Sequence, residues 1–300
     1  MKLIADSGST KTAWCLLGEG KEKDFVMTQG INPFQQQTED IERVLTEELL
    51  PALVKSNQGE AFIRAAILEI FFYGAGCTPE ASPKVETALQ RTMSANCKVL
   101  KIEVRSDMLG AARALCQRTP GIVAILGTGA NSCLYDGQEI VANVSPLGYI
   151  LGDEGSGGYI GKRLVGDVLK CQFPEEVYRM FYEETQETAA SIIQKTYREP
   201  LANRFLASLS PFCLRHRDHP AIHAFLLDCF QQFFIRNIKA YARVSVDLTK
   251  LGDYSPSTVH FVGSIASYYQ PELTEAAASL GYTVGHVLQA PIEGLVTFHG

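Results

Sequence analysis

Asp6 lies where an apolar stretch meets a polar loop, an arrangement that suits phosphate chemistry. The stretch from Lys2 to Asp6 is followed by Ser7, Gly8, Ser9, Thr10, Lys11 and Thr12. Small residues in such a loop let backbone N–H groups approach an anion. Because a carboxylate repels phosphates unless a divalent cation lies between them, the pattern predicts Mg²⁺ at Asp6 and nucleotide phosphates along the loop. An ordinary Ser/Gly hairpin is the alternative.

A second glycine-rich hairpin begins at residue 121. The apolar residues 121–126 are followed by Gly127, Thr128, Gly129, Ala130, Asn131 and Ser132, and the chain returns through residues 133–135. The opening hairpin is therefore used twice. Such an internal repeat predicts two similar domains, each of which offers a glycine-rich hairpin to one nucleotide cleft.

Two further acidic sites lie next to predicted helices. Asp107 follows the strand-like residues 101–106 and precedes the helical residues 108–112. It is either a helix N-cap or the general base that takes a proton from an acceptor hydroxyl. Asp153 and Glu154 are framed by glycines in residues 152–158. We expect one of these acids to bind sugar hydroxyls, and a helix starting near Gly155 to direct its N–H groups at the cleft; a flexible surface loop is the alternative.

Composition narrows the class of protein. The 300 residues are 46% hydrophobic and 20% charged, with a formal charge of −6, which argues against a nucleic-acid partner. No signal peptide or transmembrane stretch is predicted. The eight cysteines show no C-x-x-C pair, so we expect buried free thiols and a cytoplasmic protein. His216, His219 and His223 have helical spacing, but they are interpreted as a solvated helix end rather than a metal site.

The order of predicted elements favours a mixed α/β fold in two domains, residues 1–112 and 113–300. A helix should start at Thr38 and be kinked or ended by Pro51. The second domain carries a helical segment at about residues 155–250, and a last helix at about 291–300 is expected to pack back on the first domain. The predicted strands beyond the hairpins are residues 24–29, 66–73, 99–104, 258–262 and 282–287.

These motifs resemble the BadF/BadG/BcrA/BcrD ATPase family, which includes N-acetylglucosamine kinase and belongs to the actin, hexokinase and heat-shock chaperone superfamily. Residues 6–12 look like the first phosphate loop, residues 126–132 like the second, and residues 261–266 like the adenosine loop. Residues 152–156 are close to the family's G-D-E-G-S segment. The resemblance implies two ribonuclease H-like, actin-like ATPase domains and an interdomain nucleotide cleft.

By the same resemblance, the protein would be an ATP- and Mg²⁺-dependent kinase that phosphorylates the 6-hydroxyl of N-acetylglucosamine or a related amino sugar. Asp107 would be the catalytic base and Asp6 the metal-side carboxylate. Gly8, Ser9, Thr10, Lys11, Thr12, Gly127, Thr128 and Gly129 would bind phosphate, and Gly263, Ser264 and Ala266 adenosine. The implied sugar-binding residues are Asn32, Gly74, Ala75, Asp107, Ala130, Asn131 and Asp153. Asn32 is followed by Pro33 and Phe34, where the family commonly has tryptophan.

Two alternatives belong to other functional classes. One is an ATPase activator of a 2-hydroxyacyl-CoA or benzoyl-CoA-type reductase or dehydratase, which needs cysteines for an iron–sulfur cluster; Cys116 lacks a well-placed partner cysteine. The other is a non-catalytic nucleotide- or sugar-binding protein. The aromatic helices of the second domain could also bury the face of a homodimer.

Overall fold

The computed structural model describes residues 1–8, 10–18, 20, 22–56, 60–243 and 255–300. It contains two compact units. The first comprises Met1–Arg118 and Pro291–Gly300, and the second Thr119–Ala290. The predicted boundary at 112/113 would have cut the helix Asp107–Cys116. Because the structure keeps this helix whole in the first unit, the division falls after Arg118.

In the described part of the chain, ten strands form two five-stranded sheets. The strands are β1 (Lys2–Ser7), β2 (Lys11–Leu17), β3 (Lys23–Gln29), β4 (Ile67–Gly74), β5 (Lys98–Ser106), β6 (Gly121–Leu126), β7 (Ala130–Tyr135), β8 (Ile140–Val144), β9 (Thr258–Val262) and β10 (Thr283–Leu288).

The two sheets have the same topology. The first has the order β3-β2-β1-β4-β5 and the second β8-β7-β6-β9-β10. In each, the first three strands form an antiparallel meander and the last two are parallel to the first strand. The predicted internal repeat and the mixed α/β class are therefore confirmed.

Helices pack around both sheets. They are α1 (Thr38–Val44), α2 (Leu50–Ser56), α3 (Glu60–Ala65), α4 (Ser82–Ser94), α5 (Asp107–Cys116), α6 (Gly148–Leu151), α7 (Gly157–Leu169), α8 (Glu175–Thr185), α9 (Ala189–Tyr197), α10 (Ala202–Arg215), α11 (Pro220–Phe233), α12 (Ser264–Tyr268), α13 (Gln270–Ser279) and α14 (Ile292–His299). The helical segment predicted to reach about residue 250 is helical as far as Arg243, and residues 244–254 lie outside the described part.

Pro51 does not end the helical run, contrary to one of the two predicted outcomes. A π-helical segment, Leu45–Leu49, joins α1 to α2, and the Leu50 N–H donates to the carbonyl of Leu45, five residues earlier. Proline has no N–H to donate to the carbonyl four residues before it, and its ring crowds that carbonyl. The wider winding before Pro51 accommodates both effects, so the helix continues to Ser56.

In the first unit, the two faces of the sheet are covered by different helices. Leu3, Ala5 and Trp14 belong to the core beneath α1 and α4, and the Trp14 indole N–H donates to Thr28 Oγ1 at 2.9 Å. The opposite face is packed by α5 and by the terminal helix α14, which contacts β1, β2 and α5. Chain segments from both ends of the sequence therefore complete this unit.

In the second unit, α7 and α10 approach each other at backbone distance. A Cβ added to Gly161 would overlap the carbonyl group of Leu206 on α10. The core around these helices is rich in phenylalanine, including Phe181, Phe212 and Phe230. Gly161 therefore has a packing function that the sequence alone did not reveal.

The three histidines do not converge on a metal. His216 contacts Glu184, His219 Nε2 lies 2.7 Å from Glu176 Oε1, and His223 Nε2 lies 3.0 Å from Glu275 Oε2. Among the described residues there is no cluster of three or more His, Cys, Asp or Glu side chains able to hold a metal ion. Nor does that part of the chain contain a helix with the length and apolar character needed to span a membrane.

The close contact at Gly161 gives a stability prediction. We expect Gly161→Ala to lower the free energy of unfolding by about 2 kcal/mol or more, because backbone atoms of Leu206 must move. Gly166 lies on the same helix with nothing within 4 Å of an added Cβ. Gly166→Ala should change stability by less than about 1 kcal/mol, in the stabilising direction. Urea denaturation of both variants checks this; equal effects would contradict the packing argument.

Candidate active site

The opening hairpin of the first unit forms a tight turn. The Gly8 N–H donates to the Lys11 carbonyl at 3.0 Å, and the Gly30 N–H donates to the Thr10 carbonyl at 3.1 Å. Gly8, Thr10 and Lys11 are exposed, as a loop that receives a phosphate requires. Ser9, which was also predicted to bind phosphate, lies outside the described residues.

Thr12 has a different function from the predicted phosphate contact. Its hydroxyl is fully buried, lies 2.7 Å from the Ser7 hydroxyl, and donates to the Gln29 carbonyl at 3.1 Å. Ser7 Oγ also accepts from the Ile31 N–H at 3.0 Å. These bonds join β1 and β2 to the segment before Asn32, so the Thr12 side chain stabilises the loop and does not face a ligand.

Asp6 and Asp107 form an acidic pair. Burial raises the pKa of Asp6 to about 7, and the negative charge of Asp107 adds to the rise, while Lys11 opposes it. No described residue donates a hydrogen bond to the Asp6 carboxylate. A partly buried carboxylate beside another acid fits a divalent cation, because a cation stabilises the charged form that burial disfavours.

Asp107 is the first residue of α5 but not its N-cap. The N-cap is Ser106, whose hydroxyl accepts from the Leu109 N–H at 3.3 Å. Asp107 Oδ1 accepts from the Met108 N–H at 2.8 Å. Burial raises the pKa of the Asp107 carboxyl, and hydrogen bonds from backbone N–H groups oppose this rise. Because Ser106 supplies the cap, the capping alternative for Asp107 is wrong.

The predicted sugar-binding residues of the first unit lie beside the same strand ends. The Ala75 N–H donates to the Ser7 carbonyl at 2.9 Å, which joins the loop after β4 to the hairpin of Asp6. Gly74 has no room for a side chain, since an added Cβ would lie 2.6 Å from the Phe72 ring. Asn32 Oδ1 accepts from the Phe34 N–H at 3.0 Å. Its amide Nδ2 has no partner among the described residues and can donate to a ligand.

In the second unit, the glycine-rich loop after β6 is fixed by helix α7. The Gly157 N–H donates to the Gly127 carbonyl at 2.8 Å and the Gly158 N–H to the Thr128 carbonyl at 3.0 Å. The next N–H, that of Tyr159, donates to the Ser156 hydroxyl at 3.1 Å. The expectation that this helix directs its N–H groups at a ligand is therefore wrong, because the protein itself uses the first three.

Asp153 and Glu154 point to different environments. Glu154 is buried and accepts from the Asn237 amide at 3.2 Å, with Arg236 Nε 3.8 Å away. Asp153 is half-buried and has a left-handed backbone (φ 56°), and its Oδ1 accepts from the Ala130 N–H at 3.3 Å. Burial raises the pKa of Asp153. Glu154 is thus structural, and Asp153 is the acid that can meet a substrate.

Asn131 lies on β7 beside the Asp153 loop. Its Oδ1 accepts from the Ser132 N–H and from Asn143 Nδ2, both at 2.9 Å. The Asn131 amide Nδ2 has no partner among the described residues. An added Cβ on Gly129 would lie 3.1 Å from Asp153 Oδ2, so only a residue without a side chain leaves this carboxylate accessible.

A pocket of about 180 Å³ lies wholly within the second unit. Ser264, which the family resemblance assigns to adenosine binding, lines this pocket, but Ala266 is fully buried in the core and cannot contact a ligand. Gly263 (φ 121°) instead allows close approach to the Leu126 carbonyl. The remaining lining residues are Gly127, Thr128, Gly157, Ala207, Ser210, Pro211, Leu214, Ile265, Tyr268 and Tyr269.

The residues of α10 that line this pocket were not among the predicted site residues. Pro211 lies inside α10 and cannot donate to the Ala207 carbonyl, which instead accepts from the Ser210 hydroxyl at 2.8 Å. The Tyr269 hydroxyl donates to the Ser210 carbonyl at 2.6 Å. A proline within a strongly amphipathic helical pattern was the available signal.

Comparison with solved structures places this geometry in a family. A proposed N-acetylglucosamine kinase from Porphyromonas gingivalis is 47% identical, with 100% of this chain and 98% of that chain covered and a TM-score of 0.85. This chain belongs to the same family. That family is the N-acetylglucosamine kinase-like branch of the BadF/BadG/BcrA/BcrD ATPases.

Other members and relatives of the N-acetylglucosamine kinase-like fold are more distant. A proposed N-acetylglucosamine kinase from Chromobacterium violaceum is 16% identical (100% of this chain, 98% of that chain, TM-score 0.69). The ethanolamine utilization protein EutJ from Carboxydothermus hydrogenoformans is 15% identical (99% and 89%, TM-score 0.53). Both show only the shared actin-like ATPase fold. No protein-family model matches the sequence, and no curated protein compared with it does.

The acidic pair of this N-acetylglucosamine kinase-like chain gives a titration prediction. We expect Asp6 to titrate near pH 7 and to do so at lower pH in Asp107→Asn, because the Asp107 charge is lost while burial remains. Added Mg²⁺ should lower the Asp6 pKa further. Carboxyl ¹³C NMR measures this, with Asp136 in the β7–β8 turn as internal reference. An Asp6 pKa unchanged by the substitution would contradict the pairing.

Proposed function

We propose that the protein is an ATP- and Mg²⁺-dependent sugar kinase that phosphorylates the 6-hydroxyl of N-acetylglucosamine or a related amino sugar. The observation that carries the proposal is the pair formed by Asp107 and Asp6. One unit of the chain thereby holds a candidate base beside a candidate metal-side carboxylate. The 47% identity to a proposed N-acetylglucosamine kinase supports the substrate class.

Asp107 is suited to the function of general base. Hydrogen bonds from the Met108 and Asp107 N–H groups orient its carboxylate. Burial raises its pKa, which makes it a better proton acceptor than an exposed aspartate. In the proposed step the sugar hydroxyl oxygen bonds to the γ-phosphorus as the bond to the β–γ bridging oxygen breaks. ADP leaves with that electron pair, and the hydroxyl proton passes to Asp107.

Asp6 would hold Mg²⁺, which when bound neutralises phosphate charge. In the hairpin of the same unit Gly8, Thr10 and Lys11 are exposed, and Lys11 brings a cationic side chain. The second unit contributes Gly127, Thr128 and Gly129. We assign its pocket at Ser264 to adenosine, because apolar and aromatic walls with a few polar groups suit a nucleobase.

The amino sugar would be recognised by side chains that keep unused hydrogen-bonding groups. Asn32 and Asn131 each offer an amide Nδ2 as a donor, and the Asp153 carboxylate offers acceptors to hydroxyl groups. Each of these side chains is fixed by a hydrogen bond within the protein and keeps another polar atom for a ligand. Such fixed donors and acceptors are typical of sites that select among hydroxyl-bearing ligands. Gly74, Ala75 and Ala130 are assigned to the same sugar site by the family resemblance.

The activator alternative receives no support from Cys116. This thiol is buried in α5, and burial raises its pKa to about 12. An iron–sulfur cluster is held by thiolates, which such burial disfavours.

The kinase proposal is tested with Asp107→Asn. We expect kcat for N-acetylglucosamine to fall by about 10²- to 10⁴-fold, because the amide cannot accept the proton, while ATP binding is retained. Coupled ADP assays and calorimetry with an ATP analogue measure the two effects. Asp136→Asn, in a turn where Asp136 accepts from the Gln138 and Glu139 N–H groups, is the matched control. Wild-type turnover by Asp107→Asn would show that the base is wrongly assigned.

A further inference from the structure

A buried polar cluster lies behind Asp107 in the first unit. Arg113, on α5, is only 8% exposed. Its Nη1 donates to the Tyr73 hydroxyl at 2.8 Å and to Glu103 Oε1 at 2.8 Å. The Tyr73 hydroxyl also lies 2.8 Å from His299 Nε2 on α14. Four side chains from two strands and two helices are thus joined through one phenol oxygen and one guanidinium group.

Tyr73 lies between the cluster and the segments that carry the two acids. It lies beside Asp6 in the register of β1 and β4. Gly110, one turn after Asp107, packs on Tyr73 so closely that an added Cβ would lie 2.8 Å from the Tyr73 Cβ. The first turn of α5 therefore packs on the tyrosine that pairs with Asp6.

The terminal helix α14 holds α5 from the other side. Gly294 packs on the backbone of Ala114, with an added Cβ 2.5 Å from the Ala114 carbonyl oxygen, and Gln117 Nε2 donates to the Gly294 carbonyl at 3.1 Å. The His299 ring stacks on Phe71 at 3.9 Å between centroids. Burial, together with the nearby Arg113, lowers the pKa of His299 to about 4, so its ring is neutral near pH 7.

A buried cluster of charged and polar side chains adds less stability than apolar side chains in the same place. Removing a guanidinium and a carboxylate from water carries a desolvation cost that apolar side chains of similar volume avoid. The polar groups instead fix the orientation of the side chains, because each hydrogen bond constrains both of its partners. A fixed orientation is useful where the position of a reacting group must be precise to a fraction of an ångström.

We infer that Tyr73, Arg113 and His299 are positioning residues that set Asp107 against Asp6 through helix α5. The inference rests on the proposed function for its catalytic consequence, but its structural content concerns the first turn of α5 alone. A misplacement of a reacting group by about 1 Å lowers rate by up to about 10²-fold. The cluster should therefore influence kcat without touching a substrate.

The test uses Tyr73→Phe, which keeps the ring and deletes the shared hydroxyl. We expect faster hydrogen–deuterium exchange at the amides of residues 108–112, and kcat lowered about tenfold or more with KM for ATP unchanged. His299→Leu should act in the same way, and His299→Gln, whose amide can replace Nε2, should recover most of kcat. Tyr282→Phe, which keeps its stacking on Phe234, is the matched control.

The outcomes separate this inference from the proposed function. Unchanged exchange at residues 108–112 in Tyr73→Phe overturns the inference whatever the activity. Faster exchange with wild-type kcat also overturns it, since the cluster would then be structural only. If the wild-type protein phosphorylates no sugar, the proposed function fails, and the exchange measurement alone still decides whether Tyr73 holds the turn that carries Asp107.

Discussion

Two carboxylates held close together, Asp6 and Asp107, are the constraint on which the first unit depends. Burial and mutual repulsion make the charged pair costly, and no described hydrogen bond offsets that cost at Asp6. The surrounding structure must therefore hold the two acids in place. Ser7 and Thr12 lock the hairpin of Asp6, while Ser106 and Met108 fix the start of the helix that carries Asp107.

The second unit repeats the sheet topology of the first, but its loop after β6 is fixed by hydrogen bonds from a helix rather than placed beside a pair of acids. Its loop after β6 occupies the first N–H groups of α7, so the loop is rigid before any ligand binds. The strained backbone of Asp153 and the absence of a side chain at Gly129 keep one carboxylate accessible. The same sheet topology thus carries a pair of acids in the first unit and a hydrogen-bonded glycine loop in the second.

Much of this could be predicted from local sequence. Apolar runs that end on glycine or aspartate located the strands, and the recurrence of one hairpin gave the repeat. Local sequence left Asp107 as either a helix N-cap or a general base, whereas Asp153 stood out because two adjacent acids framed by glycines have no evident purpose in a purely structural loop. What local sequence could not show were contacts between distant segments. The family resemblance assigned Ala266 to adenosine binding, but packing against distant segments buries it fully in the core of the second unit.

The same limit explains the errors at Thr12 and at helix α7. In each case the residue type was right for binding an anion, but a partner far away in sequence had already used the donor: Gln29 for Thr12, and Gly127 for the N–H of Gly157. The cluster of Tyr73, Arg113 and His299 was invisible for the same reason, since 226 positions separate Tyr73 from His299.

We propose that this protein transfers the γ-phosphoryl group of ATP to an amino sugar. ADP release, measured with Mg²⁺ over a panel of N-acetylglucosamine, N-acetylmannosamine, N-acetylmuramic acid, glucosamine and glucose, tests this proposal most directly. We expect sugar-dependent ADP release that is greatest with N-acetylglucosamine or a closely related amino sugar. ATP binding without ADP release on any member of the panel would contradict it and would favour a non-catalytic binding protein.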